Sequence, residues 1–425
     1  MSDAVNPYTA AHIQVLEGRE AIRKRPGMYV GSTRERRLHQ QVFEVSDWAV
    51  NEVLAGRADH VDVVLESDGL VRVAIDGRGI PVEAAGHVDA PCLEEPLTRM
   101  HAGLRRDGRR FVGVGLFGMG PFVANDLSSP LTVEVRREGV RWVQRYDRGA
   151  AAGPPLSEGP TTGTGTVIAL RPDADIFGTA ECSFDALAEH FRTLAFLNCG
   201  LDISLTDQRP PSGPRSERFL FPEGAKDFVA FIAAQTGTSD ETGVFGFGHE
   251  DPQIAGSVEV VLKWSHTFTG GIQSFANSMP TPLRARVLIA AATPSLKPTT
   301  RDPPQGQLLT TKIGTGLRPD RLCDSLTAVV SVKLDRPEFE GATRGILGNA
   351  EVREFVALAV QDHLITWLAD DPRLASTVVS RIATDTWPAG ASAPVVARPG
   401  GAQIQRAPES GQPPCRPHSS RPPYT

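Results

Sequence analysis

Glu17-Gly-Arg-Glu-Ala-Ile-Arg-Lys-Arg-Pro-Gly-Met-Tyr-Val-Gly31 is the stretch on which the reading of this chain turns, because three further segments succeed it in a set order. Phe43-Glu-Val-Ser-Asp47 comes next, then Asp76-Gly-Arg-Gly-Ile-Pro81, then Gly115-Leu-Phe-Gly-Met-Gly120. Around the second segment, Leu38, Val42, Phe43, Val45, Ala49, Val50, Val53 and Leu54 recur at helical spacing, predicting a helix over 38–56 that stops at Gly56. Glu44, Asp47, Trp48, Asn51 and Glu52 ride on that helix, with positions 44 and 48 one turn apart on a shared face. Val61-Asp-Val-Val-Leu65 and Val71-Arg-Val-Ala-Ile75 read as strands joined by a turn at Ser67-Asp-Gly69. The third segment is a tight glycine-rich turn leaving the second of those strands.

Working outward, Leu131–Val135 and Val140–Val143 suggest a hairpin around Glu138-Gly139, and Thr166–Arg171 is a further strand. Helices on one side of a mixed sheet make an α+β sandwich. A second unit is expected from about residue 221, after the Pro- and Ser-rich run 209–216. It holds strand-like Val258–Trp264 and Leu326–Leu334, then a helix from an Asn349 N-cap to about Ala369. From Trp387 onward proline and glycine dominate, the composition of a disordered tail. The domain expectation is therefore 1–220, 221–387 and a 388–425 tail.

The 425 residues suffice for two domain cores. Hydrophobic content of 40% and charged content of 22% fit an ordinary soluble protein. No apolar run has membrane-spanning length and the N-terminus has no signal-peptide pattern. Five scattered cysteines with no Cys-x-x-Cys pair point to reduced thiols in a cytoplasmic protein and away from structural zinc. A net charge of -6 makes no case for whole-surface DNA binding.

In this order and at these distances, the four segments resemble the ATP-binding domain of the B subunit of DNA gyrase, and the resemblance spans about residues 8 to 375. It implies a GHKL ATP-binding α/β sandwich followed by a transducer domain of the ribosomal-protein-S5-like α/β type. It also implies ATP and Mg2+ as cofactors, a homodimer, gyrase subunits as further partners, and DNA reached only through such a complex. Glu44 matches the glutamate that polarises the attacking water as general base. Tyr8 matches a tyrosine that crosses to the partner subunit's nucleotide. Asp76, Arg78, Gly79, Ile80, Pro81, Arg137 and Thr166 fall at the nucleotide pocket, and Asp47, beside the magnesium position on the helix, is counted among the ATP-binding residues. Gly115, Leu116, Gly118 and Gly120 fall on the loop that closes over the phosphates, where backbone N–H groups suit anions. His101-Ala-Gly103 resembles the start of that lid, and Arg105 stands where the family has a lysine. In Phe339-Glu-Gly-Ala-Thr-Arg-Gly-Ile-Leu-Gly-Asn349, Arg344 replaces the lysine that reaches the γ-phosphate.

Each segment also has a plainer reading: a solvated acidic helix face, a turn, an exposed strand arginine. Several departures matter as much as the matches. Trp48 stands where the family's asparagine binds magnesium, and an indole offers only an N–H donor. Ile75 stands where a carboxylate accepts from the adenine amino group, and leaving that donor unpaired costs ~1–3 kcal/mol. Ala342 replaces the γ-phosphate glutamine, Val114 a glycine, Phe117 a histidine and Leu104 a further lid glycine. No metal ligand is expected. The prediction is weak ATP binding or slow hydrolysis, without the acidic DNA-cleavage domain that gyrase B subunits carry beyond the transducer. The competing reading is a catalytically dead dimerisation module that modulates gyrase. A histidine kinase shares the ATP-binding fold, but the first 40 residues and the second unit match gyrase instead.

Overall fold

A buried apolar stripe and a clean stop explain the longest helix of the N-terminal part, α3 (Arg34–Leu54). It contains no glycine or proline, and Leu38, Val42, Val45, Ala49 and Val50 are fully buried along one side. At its end Gly56 takes φ +70°, its N–H bonds to Val53 O and the Arg57 N–H reaches back to Glu52 O. That paired closure satisfies carbonyls that the last turn would otherwise leave open. Two shorter helices precede it, α1 (Gly18–Lys24) and α2 (Gly27–Val30).

The computed structural model describes residues 18–31, 34–82, 93–99, 120–235, 243–264, 271–281, 326–340 and 346–370. All lie in one compact unit, Met1–Pro394. The expectations for Tyr8, Arg105, Gly115, Leu116, Gly118, Arg344 and the tail fall outside the described residues.

After α3 the chain runs through β1 (His60–Leu65), β2 (Val71–Ile75), α4 (Glu95–Thr98) and α5 (Pro121–Asp126). Strands β3 (Ser128–Arg137), β4 (Val140–Asp147), β5 (Ala150–Ala151), β6 (Leu156–Pro160) and β7 (Gly165–Pro172) follow. Helices α6 (Ala174–Phe177) and α7 (Phe184–Leu197) lead to β8 (Asp202–Asp207) and β9 (Arg215–Phe219). The strands form one sheet in the order β5-β4-β3-β7-β2-β1-β8-β9, with β6 on β4. Among the described residues of this sheet only β1 and β8 pair in parallel; the remaining pairs are antiparallel. Alternate residues such as Val61, Val63, Val71, Val73, Leu131, Val133, Ile203 and Leu205 turn to one face, where α3, α5 and α7 close a core over them. The β3–β4 hairpin turns at Glu138 (φ 54°) and Gly139 (φ 77°), the left-handed pair that suits strand twist.

The Pro- and Ser-rich run 209–216 leads into β9, whose Arg215 and Ser216 pair with Asp207 and Thr206. Helix α8 (Ala225–Gln235) comes next and packs on both α7 and a second sheet. That sheet consists of β10 (Phe245–Asp251), β11 (Gly256–Trp264), β12 (Ile272–Ala276), β13 (Met279–Pro280) and β14 (Leu326–Leu334). Its order is β10-β11-β14-β12-β13. Phe196, Phe228, Val229, Phe275, Val261 and Val329 share one small core at the α7–α8–sheet contact. A two-stranded ladder of β15 (Phe339–Glu340) and β16 (Ile346–Leu347) precedes α9 (Glu351–Asp370). α9 covers the opposite sheet face, burying Val352, Phe355, Val356 and Val360 against Val258, Val260, Leu262, Val330 and Val332. The expected N-cap is not formed by Asn349. Its Oδ1 accepts instead from the Glu338 N–H at 2.8 Å, tying the segment after β14 to the helix start.

Candidate nucleotide site

Asp76-Gly-Arg-Gly-Ile-Pro81 leaves the end of β2 as a loop held by its neighbours rather than by itself. Asp76 Oδ1 accepts from the backbone N–H groups of Asp59 and His60, at 2.7 and 3.0 Å. Gly77 lies at φ +88°, and a Cβ there would meet Arg57 O at 2.1 Å, so only glycine lets the loop sit on the end of α3. Gly79 lies at φ +75° with Arg136 O 2.9 Å from where its Cβ would be. Arg137 Nη1 donates to Gly79 O at 3.0 Å, and the Ile80 N–H donates to Thr166 Oγ1 at 3.1 Å. Asp76, Arg137 and Thr166 thus act together as the frame of the loop. The Thr166 hydroxyl hydrogen is still available to a ligand. Ile80 is buried, Pro81 half-buried and Arg78 exposed at the turn.

From the middle of α3 comes Glu44, 1% exposed. Gln40 Nε2 donates to its Oε1 at 3.0 Å, and the Gly120 N–H donates to its Oε2 at 2.8 Å. Gly120 is the last residue of the glycine segment and precedes Pro121, the first residue of α5. Burial pushes the Glu44 carboxyl up to about 8, against the lowering effect of those two bonds and with repulsion from Asp47 adding to it. Below that pH most of the population carries the proton and cannot accept another.

Two acidic residues expected at the site are engaged within the fold. Asp47 Oδ1 lies 2.7 Å from His190 Nε2 on α7, and the His190 ring stacks on Phe43 with centroids 4.0 Å apart. On the helix Asp47 lies about 60° round from Glu44, near enough to repel its charge yet on the side that meets α7. Asp76 is likewise engaged by the α3–β1 connection, as its outward strand parity anticipates.

The two departures from the family pattern are built into the core. Trp48 is 6% exposed and Ile75 6% exposed, and both belong to the main apolar cluster. Ile75 pairs in register with Thr166 across β2 and β7. A magnesium ion does not fit what α3 offers: Trp48 supplies no oxygen, both Glu44 oxygens hold N–H donors and Asp47 is taken by His190. Among the described residues no group of three or more His, Cys, Asp or Glu surrounds a common point.

Gln40, His190 and Asp126 were missed from sequence. Gln40 lies one turn before Glu44, and that spacing could have flagged it. His190 meets its partner across 143 positions, which no local pattern reveals. Asp126 ends α5 with neither carboxylate oxygen hydrogen-bonded among the described residues, although Arg19 Nε lies 3.6 Å away. Burial drives its carboxyl up to about 7, opposed by Arg19 and Arg23. No helix among the described residues is long and apolar enough to cross a membrane.

Known proteins resemble this chain in sequence and in fold. A family model for DNA gyrase B matches residues 224–387. The chain is 39% identical over 398 residues to the DNA gyrase B protein of Streptomyces coelicolor, covering 89% of this chain and 57% of the relative. Against that of Haloferax lucentense it is 39% identical over 384 residues, covering 88% and 59%. It thus spans a little under three fifths of the length of the curated relatives it matches. Among solved structures, the 43K ATPase domain of Thermus thermophilus gyrase B, in complex with an aminocoumarin, superposes with a TM-score of 0.68 at 29% identity. That match covers 86% of this chain and 93% of the other. The topoisomerase IV ATP-binding domain of Francisella tularensis, in complex with a small-molecule inhibitor, gives 0.66 at 26% identity, covering 87% and 96%. The chain is thus similar to DNA gyrase B proteins over about nine tenths of its own length, and it carries the α+β, GHKL-type fold of gyrase B ATPase domains.

Proposed function

We propose that this protein is a gyrase-B-type ATPase half that binds ATP weakly and hydrolyses it slowly, with Glu44 as the general base. The observation that carries the proposal is the pairing of a retained base with a rebuilt surround. Supporting it, Glu44 accepts from the Gly120 N–H at the end of the glycine segment, and Trp48 and Ile75, which match the family's magnesium and adenine ligands in sequence, are buried. Phosphoryl transfer depends on positioning and charge neutralisation, so losing an oxygen donor to the metal weakens the step more than it weakens the fold. A base that is mostly protonated at neutral pH lowers the rate further.

In this reading residues 1–220 bind the nucleotide, 221–387 form the transducer and 388–425 are a tail. The protein works as a cytoplasmic homodimer through the arm that bears Tyr8. Arg105 and the glycines 115, 118 and 120, with Leu116, serve the phosphates, and Arg344 serves the γ-phosphate. Gyrase subunits are its further partners, and DNA is met only in their company. The burial of Trp48 in the core also supports the alternative, a dead ATPase that modulates gyrase as a dimerisation module.

Phosphate release from the purified full chain, compared with Glu44→Gln, separates the two. Slow release that Glu44→Gln abolishes supports the enzyme. Release indistinguishable between the two proteins contradicts it, and co-purification of gyrase subunits with the silent protein favours the modulator.

A further inference from the structure

Far along the chain from the nucleotide-site segments, two histidines meet where β10 joins α9. His249 Nδ1 lies 3.4 Å from His363 Nε2. The separation sits at the long end of hydrogen-bonding range, and without metal one imidazole donates to the other. It equals the edge of a tetrahedron with metal–nitrogen bonds of about 2.0–2.1 Å, which is about 3.3–3.4 Å. Both rings are held by aromatic neighbours: Phe247 stacks on His363 with centroids 4.2 Å apart and 16° between planes, and Phe355 lies 5.5 Å from His249. The two imidazoles are inclined at 71° to one another. His249 is exposed and His363 half-buried, so water reaches the space beside them.

We propose that His249 and His363 form a two-histidine site for a borderline divalent transition metal, Zn2+ or Ni2+, bridging strand β10 and helix α9. Imidazole nitrogen suits these ions and does not suit magnesium, which takes hard oxygen ligands. With two protein ligands the remaining positions go to water, in keeping with the absence of a third His, Cys, Asp or Glu ligand among the described residues. β10 is an edge strand of its sheet, paired only to β11 among the described residues, and α9 covers the sheet beside it. A metal across the pair would staple that edge to the helix and resist its local opening, because binding to the folded arrangement alone stabilises it.

The test uses the untagged full chain, freed of metal by chelation and titrated calorimetrically with Zn2+, Ni2+ and, separately, Mg2+. The proposal predicts one Zn2+ or Ni2+ bound per chain, a rise in melting temperature with either ion, and no response to Mg2+. His363→Asn and His249→Asn should each weaken Zn2+ affinity by roughly tenfold or more. Each variant should also melt like the wild type when metal is absent; should one fail to fold, the other carries the test. No binding, or binding unchanged in the variants, overturns the proposal.

Discussion

Asp126 and Glu44 are buried carboxyls that burial pushes well above the ordinary carboxylate range. Asp126 is fully buried with no hydrogen-bond donor on either oxygen among the described residues, and its carboxyl titrates at about 7. A raised folded value means the folded state holds the proton that the unfolded chain has already lost. The stability this provides is complete below the ordinary carboxylate range and is lost as the pH rises through about 7. Asp126→Asn mimics the protonated form and should remove that loss. In urea unfolding we expect variant and wild type to be similar near about pH 4, and the variant more stable at about pH 8.5 by on the order of a few kcal/mol. Parallel pH curves would contradict this. The same reasoning applies to Glu44 through about 8. His190→Ala should cost roughly 1–3 kcal/mol in the same assay, because it leaves Asp47 buried without its partner; an unchanged unfolding midpoint would show that water replaces the imidazole. At this scale the retained Glu44 was legible in the sequence, because a motif carries it. The partners of Glu44 and Asp47 were only partly so: Gln40 is a helical neighbour, whereas His190 and Gly120 arrive through the tertiary fold.

Among the elements, the stop of α3 and the loop after β2 are one construction. The Gly56 turn delivers Arg57 O to the point where only a glycine at 77 can pass, and Asp76 then ties down the start of β1. Gly77→Ala should therefore destabilise by more than about 1 kcal/mol from the left-handed backbone alone, with the clash against Arg57 O added. The check is a thermal melt, and a midpoint indistinguishable from wild type would mean the loop moves away freely. Trp48 belongs to the helix in the same sense. Replacing it with the family's asparagine removes a large buried side chain, and truncations of that size cost about 3–5 kcal/mol. Trp48→Asn with Ile75→Asp should raise ATP affinity while lowering the melting temperature of the nucleotide-free protein; unchanged affinity would mean the pocket has been rebuilt in another way. The helix, both early strands and the β3–β4 hairpin were legible because helical period, strand alternation and left-handed turn residues are local signals. The strand β9 was hidden in a proline-rich run, and the Asn349 cap was misread because its carboxamide bonds across to Glu338.

For the whole molecule, the sequence shows an α+β chain with two strand-rich parts, and the structure adds the order in which strands lie. The parallel pairs β1–β8 and β12–β14 join segments remote in sequence, so no local periodicity announces them. The small core of Phe196, Phe228 and Phe275 that links α7 to the second sheet through α8 was equally invisible. The resemblance to DNA gyrase B was legible throughout, since motif order survives even where single ligands do not.

On this reading the nucleotide site keeps its base and its frame but has lost the side chains that hold the cation and the purine amino group. Calorimetric titration of ATP with Mg2+ into this protein and, side by side, into the matching segment of the Streptomyces coelicolor relative is the decisive comparison. We predict affinity weaker by at least roughly 10- to 100-fold here, the equivalent of one unpaired polar group of ~1–3 kcal/mol. Equal affinity in the two proteins would contradict it.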